Sequence, residues 1–300
     1  SQYQSEIVPQ NQFEDWDPLG ALIGEARKRD LGVYIAVPVL VCGHDEPRGI
    51  LAKHPEWAVR DENGTPLGYI CGGNLEARKW VISVVEELVR KYQPEGVILD
   101  YLRFPNKPVD VDPTTRERFL REARIESYEL TQRDGPWQDF KERSLIELAG
   151  QIREGIERVK PGTTIGIYTW GPHVASNHYV SQDWVTMTRQ GYLDLINVSG
   201  YLYRQKNGED FLELFEEKMR EALSLLEGVD RPIDFAFVLG VITSHGELHS
   251  AEEIEQYLEA ADRAGMKGIS VFTLTYLQPY IDDLLERGNW MRHLGFPVEE

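Results

Sequence analysis

A carboxylate and a guanidinium group follow a short apolar segment about a third of the way along the chain. The run 97–99 (Val-Ile-Leu) is followed by Asp100, Tyr101 and Arg103, and the segment closes at Pro105. A glycine before the run and the proline after it disfavour a helix, so the pattern predicts a buried parallel strand ending at Asp100. In α/β folds, ligands bind and catalytic groups lie at the carboxyl ends of strands. Asp100 is therefore the first candidate catalytic residue; the alternative is a structural ion pair between Asp100 and Arg103.

Arg103 suggests one role for that carboxylate. A guanidinium beside Asp100 would lower the pKa of the carboxyl group and keep it ionised, which suits a nucleophile or a base. Glycoside hydrolysis usually needs a second carboxyl group across the scissile bond, and the predicted strand 163–169 has no acid near its end. The second carboxylate stays open among Asp45, Glu46, Glu247 and Glu6, of which Asp45 and Glu247 are assigned catalytic roles beside Asp100 and Arg103.

Aromatic residues lie at or after the ends of predicted strands, or in the long connection 49–73. Sugar rings stack their C–H faces on aromatic planes, and polar neighbours bind their hydroxyl groups. Ordinary packing beneath long loops is the alternative, and the segment 54–57 suits a loop-folding motif as well as a subsite. The predicted substrate-binding residues are His44, Trp57, Tyr101, Trp170, Asn197, Tyr201, Tyr203 and Tyr276.

Three histidines, His44, His173 and His245, each lie just past a predicted strand. Convergent histidines can bind a metal ion, but no HxH or HxxxH pair joins these three histidines to one another. Neither GxGxxG nor GxxxxGK[ST] follows any strand, so nucleotide binding has no support. We therefore expect no metal ion and no cofactor.

Strands and helices alternate along the chain, and this alternation predicts a parallel sheet. The first candidate is an α/β fold of the (β/α)8 TIM-barrel type in one domain, 1–300; a doubly wound open sheet is the alternative. Eight strands are needed and six are evident, so either strands lie within 49–73 or the chain lacks the first two strands of its fold. The six lie near 35–41, 96–101, 163–169, 194–199, 233–240 and 268–274.

Composition limits the partners. The net charge of −18 argues against nucleic acid and anionic membranes, both of which need a basic surface. No apolar run approaches the roughly 20 residues of a membrane span, and no signal peptide opens the chain. Two cysteines, Cys42 and Cys71, could form at most one disulfide bridge, so the redox compartment is undecided.

The segment 96–105 (Gly-Val-Ile-Leu-Asp-Tyr-Leu-Arg-Phe-Pro) resembles the signature G-(I/V)-x-(L/F)-D-Y-x-R-(F/Y)-P of glycoside-hydrolase-like barrels. This group is often labelled glycosyl-hydrolase-like 10 and includes enzymes acting on bacterial cell-wall glycan. Four further segments look like motifs of the same family, and the resemblance covers roughly 3–276. They are 54–64 (HPEWA followed by Asn-Gly), 182–201 (QDW, then GYLD and a tyrosine), 268–272 (GISVF) and 3–6 (YQSE).

The resemblance implies an extracellular or periplasmic glycoside hydrolase that acts on a polysaccharide or a cell-wall-type glycan. It also implies that the first two barrel strands are absent. A six-stranded sheet would then expose two edges, which a partner chain, a rearranged fold or a shortened chain could explain, so an oligomer is a further expectation. Two alternatives stay open: a carbohydrate-binding barrel without catalysis, and a barrel lyase or isomerase.

Overall fold

The computed structural model describes residues 3–8, 15–175 and 180–288. The strands are β1 (Tyr34–Pro38), β2 (Val41–His44), β3 (Ala58–Arg60), β4 (Pro66–Ile70), β5 (Gly96–Asp100), β6 (Thr164–Thr169), β7 (Leu195–Ser199), β8 (Asp234–Gly240), β9 (Ile242–Thr243), β10 (Gly246–Glu247) and β11 (Gly268–Phe272). The helices are α1 (Pro18–Arg27), α2 (Ile50–Lys53), α3 (Leu75–Tyr92), α4 (Pro113–Ala123), α5 (Pro136–Val159), α6 (Trp184–Arg189), α7 (Arg204–Asn207), α8 (Phe211–Ser224), α9 (Ala251–Ala264), α10 (Leu274–Leu277) and α11 (Ile281–Arg287).

Six strands form the main sheet, in the order β1-β5-β6-β7-β8-β11. The pairs β1–β5, β5–β6, β7–β8 and β8–β11 are parallel, with Tyr34 opposite Gly96 at one end of the order and Gly268 opposite Ala236 at the other. Each strand is connected to the next strand of the sheet through helical segments, as parallel pairing requires. The predicted α/β class and the six predicted strands are confirmed.

The predicted strand near 35–41 is two strands. The main-sheet strand β1 ends at Pro38, and the chain re-enters a sheet at Val41 as β2. This second sheet is antiparallel, with the order β2-β4-β3. Strands do therefore lie within 49–73, but they belong to the small sheet and add nothing to the parallel one.

Local sequence signals set the starts of the helices. Asp17 caps α1 by accepting a hydrogen bond from the N–H of Gly20, with Pro18 at the first helical position. Asn74 caps α3 by accepting from the N–H groups of Glu76 and Ala77. Such caps satisfy backbone donors that a helix leaves without partners, and the α3 cap fixes the start of the helix that leads into β5.

The chain divides into two compact units. The first comprises Ser1–Ile167 and His173–Leu193, and the second comprises Tyr168–Pro172 and Asp194–Glu300. In the first unit α3 packs against α5, and in the second α8 packs against α9. The expectation of a single domain over 1–300 stays a prediction.

The end strands of the main sheet are partly exposed. Along β1, Tyr34, Ala36 and Pro38 are exposed and alternate with two buried residues. Along β11 no residue is fully buried. Whether another chain covers these strands stays a prediction. Within the described residues, no helix is long and apolar enough to cross a membrane.

Candidate active site

Asp100 is the last residue of β5 and lies half-buried at the carboxyl end of the sheet. Its backbone carbonyl accepts a hydrogen bond from the N–H of Val39, 2.8 Å away, which holds the segment after β1 against the end of β5. Its side-chain Oδ1 accepts from the N–H of Tyr101 at 2.8 Å. The sequence therefore placed this carboxylate correctly at a strand terminus.

Burial raises the pKa of Asp100. The N–H of Tyr101 and the charge of Arg103 both lower this pKa, but their combined effect is smaller than that of burial. The expected effect of Arg103 is thus present, while the net direction is opposite to the predicted one. Desolvation penalises the charged carboxylate, so Asp100 suits the role of a proton donor better than that of an ionised nucleophile.

Four side chains form a cluster beside Asp100, which we call the Tyr101 cluster: Tyr101, Arg103, His44 and Tyr69. The Arg103 guanidinium lies over the ring of Tyr101, 4.7 Å from its centroid. The His44 ring meets Tyr101 edge-on at 5.5 Å, and its Nδ1 lies 3.0 Å from the hydroxyl oxygen of Tyr69. Stacking and hydrogen bonding therefore fix Arg103 close enough to lower the pKa of Asp100.

Two members of the cluster have left-handed backbones. The φ angle is 53° at Tyr101 and 59° at His44. Residues with a Cβ atom pay of order 1 kcal/mol for this conformation, which surrounding contacts must offset. The bond from His44 to Tyr69 and the cation–π contact of Arg103 with Tyr101 are such contacts.

Other predicted residues of the first unit lie in different surroundings. The Asp45 side chain is 89% exposed, and its Oδ1 lies 3.3 Å from Nζ of Lys107. Trp57 stacks on the ring of His54 with centroids 4.1 Å apart, and His54 Nδ1 lies 2.8 Å from an oxygen of Glu56. The segment 54–57 thus folds its own loop, the alternative that the sequence left open.

Tyr201 is the central aromatic residue of the second unit. Its half-buried ring lies 6.3 Å from the ring of Tyr168, 6.3 Å from that of Phe272 and 6.2 Å from that of His245. Phe272 is 49% exposed. Tyr168 lies in β6, Tyr201 follows β7, and Phe272 ends β11. The sugar-binding role of Tyr201 stays a prediction.

Two predicted binding residues are buried and form hydrogen bonds within the protein. Tyr203 is only 1% exposed, and its hydroxyl donates to the carbonyl of Gly240 at 2.9 Å and lies 3.0 Å from Oγ1 of Thr243. Asn197 is 5% exposed, and its Oδ1 accepts from the hydroxyl of Ser270 at 2.9 Å. The prediction that Tyr203 stacks on a sugar is wrong because its ring is enclosed, and Asn197 bonds within the sheet.

The remaining predicted residues of the second unit lie at or near its surface. Glu247 is exposed, and Oε1 of its carboxylate lies 3.9 Å from Nε2 of His249. Tyr276 on α10 is 41% exposed, and Trp170, directly after β6, is half-buried. The catalytic role of Glu247 and the substrate-binding roles of Tyr276 and Trp170 stay predictions.

The family is decided by a comparison over most of the chain. Residues 1–223 match the family described as glycosyl hydrolase-like 10. The chain belongs to this family. The matched region contains the whole Tyr101 cluster and Tyr201.

Two curated proteins are related to this chain at low sequence identity. A glycosyl hydrolase named YngK from Bacillus subtilis (strain 168) is 26% identical over 163 residues, which are 52% of this chain and 30% of that protein. An S-layer-related protein of Niallia circulans is 21% identical over 180 residues, 49% of this chain and 11% of that protein. The chain thus spans less than a third of the length of either relative.

Solved structures confirm the fold of this glycosyl hydrolase-like 10 protein. The glycoside hydrolase domain of PgaB (BpsB) from Bordetella bronchiseptica matches with a TM-score of 0.68 at 13% identity, covering 94% of this chain and 82% of that one. α-L-Fucosidase isoenzyme 2 from Paenibacillus thiaminolyticus matches with a TM-score of 0.64 at 18% identity, covering 91% and 38%. At such identities the likeness shows the fold alone, and that fold is the predicted TIM-barrel type with an incomplete set of strands.

In each unit, sequence reasoning missed residues that contact the predicted ones. Tyr69 lies on a short strand of the small sheet and gave no signal by itself, since a tyrosine in a strand is unremarkable. Lys206 and Lys218 come from helices after β7 and lie near His245 only in the folded chain. No group of three or more histidine, cysteine, aspartate or glutamate side chains that could hold a metal ion occurs among the described residues.

Proposed function

We propose that this protein hydrolyses O-glycosidic bonds of a polysaccharide or cell-wall-type glycan, with Asp100 as the general acid. The observation that carries the proposal is the raised pKa of Asp100 at the end of β5. Family membership and the fold of glycoside hydrolases support the same class of reaction.

The contacts of Asp100 suggest how the proton would move. The N–H of Tyr101 donates to Oδ1, so the acid form carries its proton on Oδ2. Transfer of that proton to the glycosidic oxygen accompanies cleavage of the bond between this oxygen and the anomeric carbon. The oxygen of a water molecule forms the new bond to that carbon, and the water gives up a proton to the unassigned partner carboxylate. Asp100 then becomes a carboxylate, and the nearby charge of Arg103 stabilises it. Arg103 therefore acts as a positioning and charge-balancing residue.

The partner carboxylate is unassigned, and this favours a second candidate function. Among the described residues, no other carboxylate belongs to the groups that shift the pKa of Asp100. The expected partner Asp45 lies in solvent beside Lys107. A carbohydrate-binding barrel that does not cleave its ligand needs no second acid, and the exposed aromatic surface at Tyr201 and Phe272 would serve it equally well.

The test is release of reducing ends from a panel of polysaccharides that includes bacterial cell-wall glycan. Asp100→Asn should lower kcat by about 10²- to 10⁴-fold, the usual contribution of general acid catalysis. Wild-type activity should fall as the pH rises through the pKa of Asp100, because the unprotonated form cannot donate. The matched control is Asp230→Asn, which neutralises an exposed acid of the second unit.

The outcomes separate the two candidates. Unchanged activity in the Asp100→Asn variant would refute the assigned role of this residue. Glycan binding without cleavage by the wild-type protein would favour the binding function. A loss of activity in an Asp45→Asn variant, equal to that of Asp100→Asn, would identify Asp45 as the partner carboxylate.

A further inference from the structure

Three basic side chains meet at the carboxyl ends of β7 and β8. Lys218, on α8, donates from Nζ to the backbone carbonyl of Ser199, the last residue of β7, at 2.7 Å. Lys206, on α7, places its Nζ 2.9 Å from Nδ1 of His245. Burial, together with the charges of Lys206 and Lys218, lowers the pKa of His245. We call Lys206, Lys218 and His245 the basic cluster.

The two lysines of the cluster have no acidic partner. In the described part of the chain, no carboxylate forms an ion pair with Lys206 or Lys218. Arg204, on the same short helix as Lys206, pairs instead with Glu209. Since the chain carries a net charge of −18, a scarcity of acids does not explain the arrangement. Like charges placed together without a counterion destabilise the fold. A bound anion would therefore stabilise the folded protein.

Burial adds a separate cost at Lys218, because it disfavours the charged form of the ammonium group. It lowers the pKa of this lysine to about 8, although the ammonium donates to a carbonyl oxygen. An anion beside Nζ would favour the charged form and raise this pKa again. The contact with Ser199 uses one of the three donors of the ammonium group, so others are available to a ligand.

The tautomer of His245 adds another donor. An ammonium group can only donate, so Nδ1 of His245 accepts from Lys206, and the neutral ring carries its proton on Nε2. On one side this ring borders Tyr201, with centroids 6.2 Å apart. A sugar stacked on Tyr201 would therefore have substituents within reach of the basic cluster.

We propose that Lys206, Lys218 and His245 form a subsite for the anionic substituent of an acidic sugar, a carboxylate or an ester sulfate. The ammonium groups and the Nε2–H of His245 donate charge-assisted hydrogen bonds to its oxygen atoms, and Tyr201 supports the sugar ring. The proposal rests on the proposed function in one respect, that the ligand is a glycan. It goes further by naming the charge of that glycan.

Binding of matched acidic and neutral oligosaccharides tests the subsite. The carboxylate probes are hyaluronan tetrasaccharide, trigalacturonate and a cell-wall glycan fragment with free lactyl carboxylates, each compared with its carboxyl-reduced form. The sulfate probe is a κ-carrageenan oligosaccharide, compared with its desulfated form. The titrations use the Asp100→Asn protein by calorimetry, so that no probe is cleaved. At least one acidic probe should bind about tenfold tighter than its neutral form, the effect of one hydrogen bond between charged partners.

The charge-matched variants are Lys206→Gln and Arg204→Gln. Both remove one positive charge from exposed positions of the same short helix, but only Lys206 belongs to the cluster. Lys206→Gln should abolish the preference for the acidic probe, and Arg204→Gln should keep it. An equal loss of this preference in both variants would mean that charge acts only at long range, and it would overturn the proposal. So would equal affinity for acidic and neutral forms, or binding of no acidic probe.

The two proposals fail in different ways. Charge discrimination by a wild-type protein that releases no reducing ends would leave the subsite in place and remove the hydrolase function. Cleavage of a neutral glycan, with equal affinity for acidic and neutral probes, would support the hydrolase function and refute the anionic subsite.

Discussion

Lys141 offers a sharp test of how burial governs the charges near the candidate site. This lysine of α5 is 1% exposed. Its Nζ lies 5.4 Å from the ring centroid of Trp137 and 6.0 Å from that of Phe104, a residue of the segment that follows β5. Burial lowers the pKa of Lys141 from its usual 10.5 to about 8, while the charge of Glu142 opposes this shift. Replacing Lys141 by methionine removes the charge and keeps most of the length and flexibility of the side chain.

The magnitude follows from the pKa difference between the folded and unfolded states. Each pKa unit corresponds to about 1.4 kcal/mol, so at pH 7 the charged lysine costs the native state about 3 kcal/mol. Between pH 8 and 10.5 the unfolded chain binds a proton that the native state has released, so stability rises with pH in this window. The cost falls to about 1.5 kcal/mol at pH 9.5. The rings of Trp137 and Phe104 stabilise the charged form of Lys141 by about 1 kcal/mol through cation–π attraction. This is less than the cost of burying the charge at pH 7.

The assay is urea unfolding of the wild type and Lys141→Met at pH 7 and pH 9.5. The variant should be about 2 kcal/mol more stable at pH 7, and the gain should shrink by roughly 2 kcal/mol at pH 9.5. Lys79→Met is the control, since this lysine of α3 is 71% exposed; its effect should stay within about 0.5 kcal/mol at both pH values. A Lys141→Met variant less stable than the wild type at pH 7 would refute the reasoning, because contacts with the ammonium would then exceed its desolvation cost.

Two further predictions concern the site residues. Arg103→Gln should move the basic limb of the pH–rate profile to higher pH, since Arg103 lowers the pKa of Asp100; an unmoved limb, checked by ¹³C NMR titration of the Asp100 carboxyl, would show that the two groups are not coupled. Tyr203→Phe should cost about 1–3 kcal/mol in urea unfolding, because the buried carbonyl of Gly240 loses its hydrogen-bond donor. A cost below about 0.5 kcal/mol would mean that water or another donor replaces the hydroxyl.

Much of the fold was predictable because local signals mark it. Short apolar runs gave the six strands of the main sheet, and residues such as Asp17, Asn74 and Gly265 marked helix starts and ends. The small sheet was not predicted as such, since its strands are short and alternate little. Hydrogen bonds between β2, β4 and β3 define it, and the pairing of β2 with β4 joins Val41 to Tyr69 across the intervening β3.

The candidate site was predictable in position but less so in its chemistry. Asp100, Tyr101 and Arg103 are local neighbours, and a strand end brings them to the same place in any parallel sheet. The contact of His44 with Tyr69 spans 25 positions. Tyr203 was assigned to the ligand surface because it follows a strand, yet the chain after β8 encloses it.

The sequence by itself determined where the six main-sheet strands lie, which helices begin beside them and which residue types follow them. Propensity, capping and apolar runs act over a few residues, so they can be read from the chain. The tertiary structure alone decided the sign of the Asp100 pKa shift, because a neighbouring Arg103 is visible in the sequence while burial is not. It also brought Lys206 into contact with His245, 39 positions further along the chain. Only packing decides which charged side chains outside the strands come close together.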